Sequence, residues 1–256
     1  MPNLHIVKRP LSALAVLTMQ IVWAGFRRDL PTLSNQDPSG FFGDPAASQL
    51  RIVMLGDSTV TSPGVDPLDS AWPRRLARAL CEPYAIDLRS VAVGGSKAKD
   101  VLADQVHRAL ALDPDICVVS VGGNDALRGT PLAQFERDYQ EILALLTSRV
   151  SHIAVSGIGD LGSIPRLPAL ARAIARVRAR AFDRAIRRVA YPYAQVVKTD
   201  TWSPGWDEFN TNPDAIFGGD QFHASAYGHR IYAEAMQPAT EELMRRIERD
   251  ATSELG

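Results

Sequence analysis

Short apolar runs alternate along this chain with longer stretches whose apolar residues recur at helical spacing. Such alternation is typical of βαβ units, in which helices join parallel strands and cover both faces of their sheet. Strands are predicted at Arg51–Leu55, Ala85–Val91, Ile116–Val121, His152–Ser156 and Ala194–Lys198. Helices are predicted at Ala71–Leu80, Lys99–Ala111, Leu132–Ser148, Leu170–Ala190 and Ser225–Asp250. The pattern therefore favours an α/β domain with a parallel sheet.

Composition excludes several classes of protein. The chain has 256 residues, a net charge of −1 and an apolar fraction of 46%. These values argue against a nucleic-acid-binding protein and against a disordered chain. The two cysteines, Cys81 and Cys117, provide no disulfide framework, and no Cys or His spacing is typical of a metal site.

The N-terminus differs in character from the rest of the chain. Lys8 and Arg9 precede an apolar stretch, and the residues Val22-Trp23-Ala24 resemble a signal cleavage site. Residues 1–28 are therefore predicted to be a signal peptide or a membrane-associated helix, which favours a secreted or membrane-associated location over the cytoplasm. An amphipathic helix that packs on the domain is the alternative. Residues 29–50, rich in Gly, Pro, Ser and Asp, are predicted to be a linker into a domain spanning residues 51–256.

Two separated segments carry the residues of a nucleophilic site. Gly56-Asp57-Ser58-Thr59 follows the first predicted strand, and Asp220 lies three residues before His223 near the C-terminus. A serine hydroxyl becomes a nucleophile when a base removes its proton, and that base needs a partner that fixes its tautomer. We therefore expect Ser58 to be the nucleophile, His223 the base and Asp220 its partner. Taken alone, Gly-Asp-Ser is a frequent turn sequence, and Asp220 could be a helix cap.

Two glycine turns behind predicted strands suggest donors for an oxyanion. Gly123-Asn124-Asp125 follows the strand at Ile116–Val121, and Gly95 follows the strand at Ala85–Val91. Acyl transfer requires hydrogen-bond donors aimed at the developing oxyanion, and the Asn124 amide and the Gly95 N–H can supply them. Asp57 and Asp125 are expected to bind turn N–H groups and to have structural roles.

These blocks, in this order, resemble the SGNH hydrolases, also called GDSL esterases/lipases. The resemblance extends from about Arg51 to the C-terminal helix. It implies a three-layer α/β/α sandwich with a parallel, flavodoxin-like five-stranded sheet. It also implies that Ser58, Asp220 and His223 form a catalytic triad. The oxyanion hole would comprise the N–H groups of Ser58 and Gly95 and the side chain of Asn124.

The resemblance implies hydrolysis of carboxylic esters through an acyl-serine intermediate, with no metal or organic cofactor. Family substrates include small-molecule, lipid and glycan esters, so a carbohydrate O-deacetylase, a lipase or a thioesterase are alternatives. A non-catalytic lipid- or carbohydrate-binding protein on the same fold is a further alternative. Lys97 and Lys99 follow the Gly95 turn and favour an anionic or polar substrate. Together with short polar loops, they predict a preference for short-chain or polar acyl esters.

Three other patterns have competing interpretations. Residues 157–162 match G-x-G-x-x-G, but Pro165 and Pro168 interrupt the helix that a dinucleotide site requires, so a substrate-facing loop is favoured. An arginine-rich helix is predicted to be a solvated face or a contact for an anionic membrane surface through Arg172, Arg176 and Arg180. Several aromatic residues are predicted to line an acyl pocket or to pack in the core: Trp202, Trp206, Phe209 and Phe217.

Overall fold

The computed structural model describes residues 29–82, 84–202 and 207–253. Its centre is a six-stranded sheet in the order β1-β3-β2-β4-β5-β6. The strands are β1 Gly40–Phe42, β2 Gln49–Gly56, β3 Ala85–Ser90, β4 Ile116–Ser120, β5 His152–Val155 and β6 Val196–Lys198. Strand β1 is antiparallel to β3, and all other pairs are parallel. Strands β2 to β6 are the five that the sequence predicts, and their order is that of flavodoxin-like folds.

The long helices also follow the prediction, and their ends differ from it by three residues at most. We label the helices α1 Ser58–Thr61, α2 Trp72–Leu80, α3 98–110, α4 Gly123–Leu127, α5 Leu132–Thr147, α6 Ala169–Ala190, α7 Glu208–Thr211, α8 Pro213–Ile216 and α9 Ala226–Ser253. Within α3, residues Val101–Gln105 form a π-helical turn. The short helices α1, α4, α7 and α8 and this π-helical turn are not predicted from the sequence.

Buried side chains divide into one core on each face of the sheet. On β2, Val53 and Leu55 pack with α3, α5 and α6, whereas Ile52 and Met54 pack with α2 and α9. This alternation follows from the two-residue period of a strand. Because helices cover both faces, β2 and β4 contain continuous apolar runs, Ile52–Leu55 and Ile116–Val119, which explains why these strands are visible in the sequence. The predicted three-layer α/β/α architecture is confirmed.

The segment 29–50 differs from the linker expected there. It supplies β1, in which Gly40 pairs with Leu88 of β3 and Phe42 is buried. Upstream of β1, the Gln36 side chain donates to the carbonyls of Ser62 and Val65 at 2.9 Å each. The Gly- and Pro-rich composition of segment 29–50 indicates irregular backbone. The Gln36 hydrogen bonds and the buried Phe42 side chain nevertheless fix this segment to the domain.

Farther upstream, the same segment lies against the loops that carry the predicted catalytic residues. Leu33 packs beside Gly64, and Pro31 packs beside Gly219, the residue before Asp220. The predicted N-terminal segment, residues 1–28, lies outside the described residues. Within the described ranges, no helix combines the length and the apolar character that a membrane span requires.

Candidate active site

Ser58 is held at the carboxyl end of β2 by the geometry of its neighbours. Gly56 pairs with Ser120 of β4, and a Cβ atom on Gly56 would lie 2.1 Å from the Ser120 carbonyl oxygen. Only glycine permits this approach of the two strands. Asp57 then caps α1, because its Oδ1 accepts a hydrogen bond from the Thr59 N–H at 2.9 Å. Ser58 is therefore the first residue of a short helix beyond the sheet edge, and it is half-buried.

Asp220 and His223 form a close pair in the loop before α9. Asp220 Oδ2 lies 2.6 Å from His223 Nδ1, and Asp220 Oδ1 accepts hydrogen bonds from the N–H groups of Phe222 and His223 at 3.0 Å each. Asp220 thus binds backbone N–H groups, as the alternative interpretation predicts, and also the imidazole. A carboxylate that accepts from Nδ1–H leaves Nε2 of His223 free to act as a base.

The charge of Asp220 is stabilised in this loop. Burial raises the pKa of Asp220, but the hydrogen bonds from the His223 side chain and from the two backbone N–H groups outweigh burial. The net result is a pKa below the ordinary value of 3.8. Asp220 is therefore ionised at neutral pH, which suits a group that orients a histidine and balances its positive charge.

Ser58, Asn124 and His223 line one cleft of about 750 Å³, its open mouth included. The cleft lies beyond the carboxyl ends of β2 and β4, where ligands of open α/β sheets bind. Asp220 lies behind His223. Gly95 is not among the residues that line the cleft; it lies in the turn after β3 with a φ of +83°, and its carbonyl accepts from Arg128 at 3.4 Å.

Asn124, on α4, connects the glycine turn after β3 with the Asp57 cap. Its Nδ2 donates to Asp57 Oδ2 and to the Ser96 carbonyl, both at 3.2 Å. Burial raises the pKa of Asp57, and the hydrogen bonds from Thr59 and Asn124 counteract that effect in part. Asp125, the next residue, accepts a hydrogen bond from the Ala98 N–H at 2.9 Å. Asp57 and Asp125 thus make the backbone contacts expected of them.

Apolar side chains form a large part of the rest of the cleft. Phe209 and Phe217 line it, and so do residues that the sequence analysis does not identify: Leu127, Leu161, Ile164, Phe222 and Tyr232. Among these residues only Phe222 could have been identified from the sequence, because it adjoins His223. Trp202 instead stacks on Arg180, whose guanidinium carbon lies 4.7 Å from the centroid of the Trp202 ring. Trp206 lies outside the described residues.

Lys97 and Lys99 do not line the cleft. Lys97 occupies the N-cap position of α3, where its backbone N–H donates to Asp100, and Lys99 is exposed. The expectation of an anionic substrate rested on these two side chains and therefore has no support from the cleft.

Several arginines of α6 bind groups of this protein. Arg176 donates to Asp160 Oδ2 at 2.7 Å and to Asn210 Oδ1 at 2.9 Å, which joins the loop 157–162 to α7 beside the cleft. Arg178 donates to the carbonyls of Ala126 and Thr130. Two members of the predicted Arg172, Arg176 and Arg180 stripe therefore have partners within the domain, Arg176 through these bonds and Arg180 through the Trp202 ring. The glycine-rich loop 157–162 contributes Gly159 to the cleft, and α6 begins only at Ala169.

A second histidine, His229, also lines the cleft but is buried. Its Nδ1 accepts a hydrogen bond from the Trp72 N–H at 3.2 Å. Burial is the main cause that lowers the pKa of His229 from 6.5 to about 3. His229 therefore stays neutral at the pH at which His223 is expected to work, and it acts as a wall of the cleft. The sequence does not predict that His229 lines the cleft, because a lone histidine in a helix matches no functional motif.

We expect His229 to make the protein less stable in mild acid. In the unfolded chain His229 binds a proton below pH 6.5, whereas in the folded protein it does so only near pH 3. The free energy of unfolding therefore falls as the pH drops from about 6.5 toward 3. The expected loss is about 1.4 kcal/mol for each pH unit in this window, or about 2 kcal/mol at pH 5. Urea unfolding of the wild type and of His229→Gln at pH 7 and pH 5 measures it. The glutamine oxygen can accept from Trp72 but does not titrate, so the variant should lose about 2 kcal/mol less; equal losses would contradict the prediction.

Comparison with known proteins agrees with this geometry. A sequence profile of the GDSL-like Lipase/Acylhydrolase family matches residues 54–231, more than half of the chain. A GDSL-like esterase of Mycobacterium tuberculosis is 26% identical over 191 residues, which cover 73% of this chain and 60% of that protein. An arylesterase of Vibrio mimicus is 29% identical over 125 residues, which cover 46% of this chain and 60% of that protein. The chain thus spans about 60% of the length of both relatives.

The fold is also found among solved structures. The acetyl xylan esterase Axe2 of Geobacillus stearothermophilus superimposes with a TM-score of 0.61 at 18% sequence identity, covering 75% of this chain and 95% of that one. At this identity the likeness concerns the fold alone. Because the family profile spans the strand-end serine, both glycine turns and the Asp220–His223 loop, the chain belongs to the GDSL-like lipase/acylhydrolase family.

Proposed function

We propose that this protein is a serine esterase that hydrolyses carboxylic esters through an acyl-serine intermediate. The observation that carries the proposal is the placement of a strand-end serine and a carboxylate-bound imidazole on one cleft. A serine, a base and an orienting acid are the groups that nucleophilic acyl transfer requires. Membership of a lipase/acylhydrolase family supports the same reaction class.

In the proposed reaction, His223 Nε2 takes the proton of Ser58 Oγ while the oxygen attacks the ester carbonyl carbon. The tetrahedral intermediate collapses when the bond to the leaving oxygen breaks, and His223 returns its proton to that oxygen. Water then attacks the acyl-serine, with His223 again taking the proton and delivering it to Ser58. Asp220 remains ionised throughout and stabilises the transient imidazolium.

The proposed oxyanion donors are the N–H groups of Ser58 and Gly95 and the Asn124 amide. Asn124 can serve only if one of its two hydrogen bonds, to Asp57 or to the Ser96 carbonyl, is exchanged for the oxyanion. Both lie at the long end of the normal hydrogen-bond range, at 3.2 Å. The bond to Ser96 also places the amide next to the Gly95 turn, which supports the two acting together.

The walls of the cleft support a substrate with a compact apolar group. Phe209, Phe217 and Phe222 contribute aromatic surface, whereas Lys97 and Lys99 lie elsewhere. We propose short-chain esters, among them aryl esters, and the name of the Vibrio relative is consistent with the latter. For residues 1–28 we keep the proposal of a signal peptide or membrane-associated segment that precedes the hydrolase domain.

A series of p-nitrophenyl esters tests the function and the substrate class together. We expect kcat/KM to be highest for acetate or butyrate and to fall steeply through octanoate to palmitate. The Arg176 bonds hold the loop 157–162 against α7, which hinders the cleft from widening for a long acyl chain. A maximum at palmitate would contradict the short-chain proposal and favour a lipase or thioesterase. Absence of both hydrolysis and labelling by a fluorophosphonate would favour a binding protein on this fold.

A further inference from the structure

Gln105 is a buried glutamine at the end of the π-helical turn of α3, and only 1% of its surface is exposed. Its Oε1 accepts a hydrogen bond from the Gly56 N–H at 2.8 Å, and its Nε2 donates to the Gly56 carbonyl at 2.9 Å. The same Nε2 lies 3.1 Å from Ser96 Oγ. One side-chain amide therefore binds both backbone groups of the residue two positions before Ser58.

The amide of Gln105 supplies the partner for a backbone N–H at the end of β2. The last residue pair between β2 and β3 is Met54 with Ser90, and beyond it the Gly56 carbonyl accepts a further hydrogen bond from the Val93 N–H at 3.2 Å. A buried backbone N–H without a partner is costly, and Gln105 supplies the partner for Gly56. In the π-helical turn the Val106 N–H bonds to the Val101 carbonyl, five residues back. Such turns occur frequently at functional sites.

Gln105 also connects the three segments that carry the proposed oxyanion donors. Through Gly56 it holds the strand end that leads into Ser58. Through Ser96 Oγ it holds the turn that contains Gly95, and the Ser96 carbonyl accepts a hydrogen bond from Asn124. The contacts to Gly56 and to Ser96 Oγ are all made by the one buried side-chain amide of Gln105. Gln105 itself does not line the cleft.

We propose that Gln105 is a positioning residue, which sets the relative placement of the Ser58 N–H, the Gly95 turn and the Asn124 amide around the oxyanion. The proposal rests on the esterase function proposed above. A displacement of about 1 Å in a catalytic group can cost about 100-fold in rate. Loss of the amide is therefore expected to lower kcat by about 10- to 100-fold with little change in KM, since misplaced oxyanion donors matter mainly in the transition state.

The test replaces Gln105 with Met, which has similar length but binds neither Gly56 nor Ser96. Active sites are counted by fluorophosphonate labelling, and kcat per labelled site and KM are measured with p-nitrophenyl acetate. A trifluoromethyl ketone inhibitor, which forms a tetrahedral adduct with an oxyanion, reports on donor placement directly. We expect its inhibition constant to weaken by about the same factor as kcat, and Asn124→Ala shows the effect of losing one donor, about 100- to 1,000-fold.

Two further variants separate positioning from folding. Thr240→Val removes a buried hydroxyl that bonds only within α9, and it should leave kcat per labelled site and the inhibition constant unchanged. Ser96→Ala removes only the hydrogen bond between Gln105 and the glycine turn, and it should lower kcat about threefold to tenfold. If Gln105→Met does not fold, this variant tests the positioning role instead. Unchanged kcat per labelled site in the folded variants would overturn the proposal. A wild type that neither labels nor hydrolyses esters would instead refute the esterase function.

Discussion

Replacing Ser58 with alanine is expected to lower kcat for ester hydrolysis by about 10⁶-fold and to abolish fluorophosphonate labelling. The reason is that the acyl-enzyme cannot form without the Ser58 hydroxyl, and the remaining groups of the cleft then act only on bound water. The protein should stay folded, since the caps and backbone bonds of α1 involve Asp57, Thr59 and Ser62 and not the Ser58 side chain.

The measurement is hydrolysis of p-nitrophenyl acetate together with mass spectrometry of the labelled protein. Ser148→Ala is the matched control, because Ser148 is an exposed serine at the end of α5 whose hydroxyl bonds only to the Leu145 carbonyl. That variant should retain full activity and full labelling. Labelling of the wild type at a serine other than Ser58 would show that the nucleophile has been assigned incorrectly.

Asp220→Asn is expected to lower kcat by about 10⁴-fold while leaving the fold intact. The asparagine oxygen can keep the hydrogen bonds from the Phe222 and His223 N–H groups. Its NH₂ group would then face His223 Nδ1 and donate to it, which moves the imidazole proton to Nε2. In that tautomer Nε2 cannot accept the proton of Ser58, so the base is lost although the geometry is retained.

The check is kcat at pH 8, with thermal unfolding to verify that the variant is folded. Because the pKa of Asp220 is lowered in the folded state, the wild type also gains stability from this carboxylate above pH 3.8 and loses it as the pH falls through the folded pKa. The asparagine variant should lack that acid-sensitive contribution. A loss of less than about tenfold in kcat would show that Asp220 does not control the tautomer of His223.

Local sequence patterns predict the central strands because these are buried on both faces and therefore contain continuous apolar runs, as β4 does over Ile116–Val119. They also place Ser58 and Asn124 together, since both follow parallel strands whose carboxyl ends share one edge. The walls of the cleft follow no local rule. Phe217 and Leu161 meet there only because separate loops fold over the sheet, and neither position carries a periodic signal.

Other features depend on contacts that the sequence does not display. The edge strand Gly40–Phe42 is short, and its pairing is determined by the exposed edge of β3 and not by its own composition. The bonds of Gln105 to Gly56 join residues 49 positions apart and require a π-helical turn, for which the residues give no pattern. Likewise, the charge of Lys97 suggests a substrate contact, but the direction of its turn takes it away from the cleft.

The packing of Pro31 beside Gly219 limits how far the domain can move from whatever precedes it. Extended chain spans at most about 3.6 Å per residue, so an anchor that ended at residue 28 would be joined to Pro31 by no more than about 11 Å of chain. Pro31 in turn adjoins the loop that carries Asp220. If residues 1–28 serve as a membrane anchor, the tether is therefore too short for the enzyme to rotate freely above the bilayer. The loop that carries Asp220 and His223 would then stay close to the lipid surface.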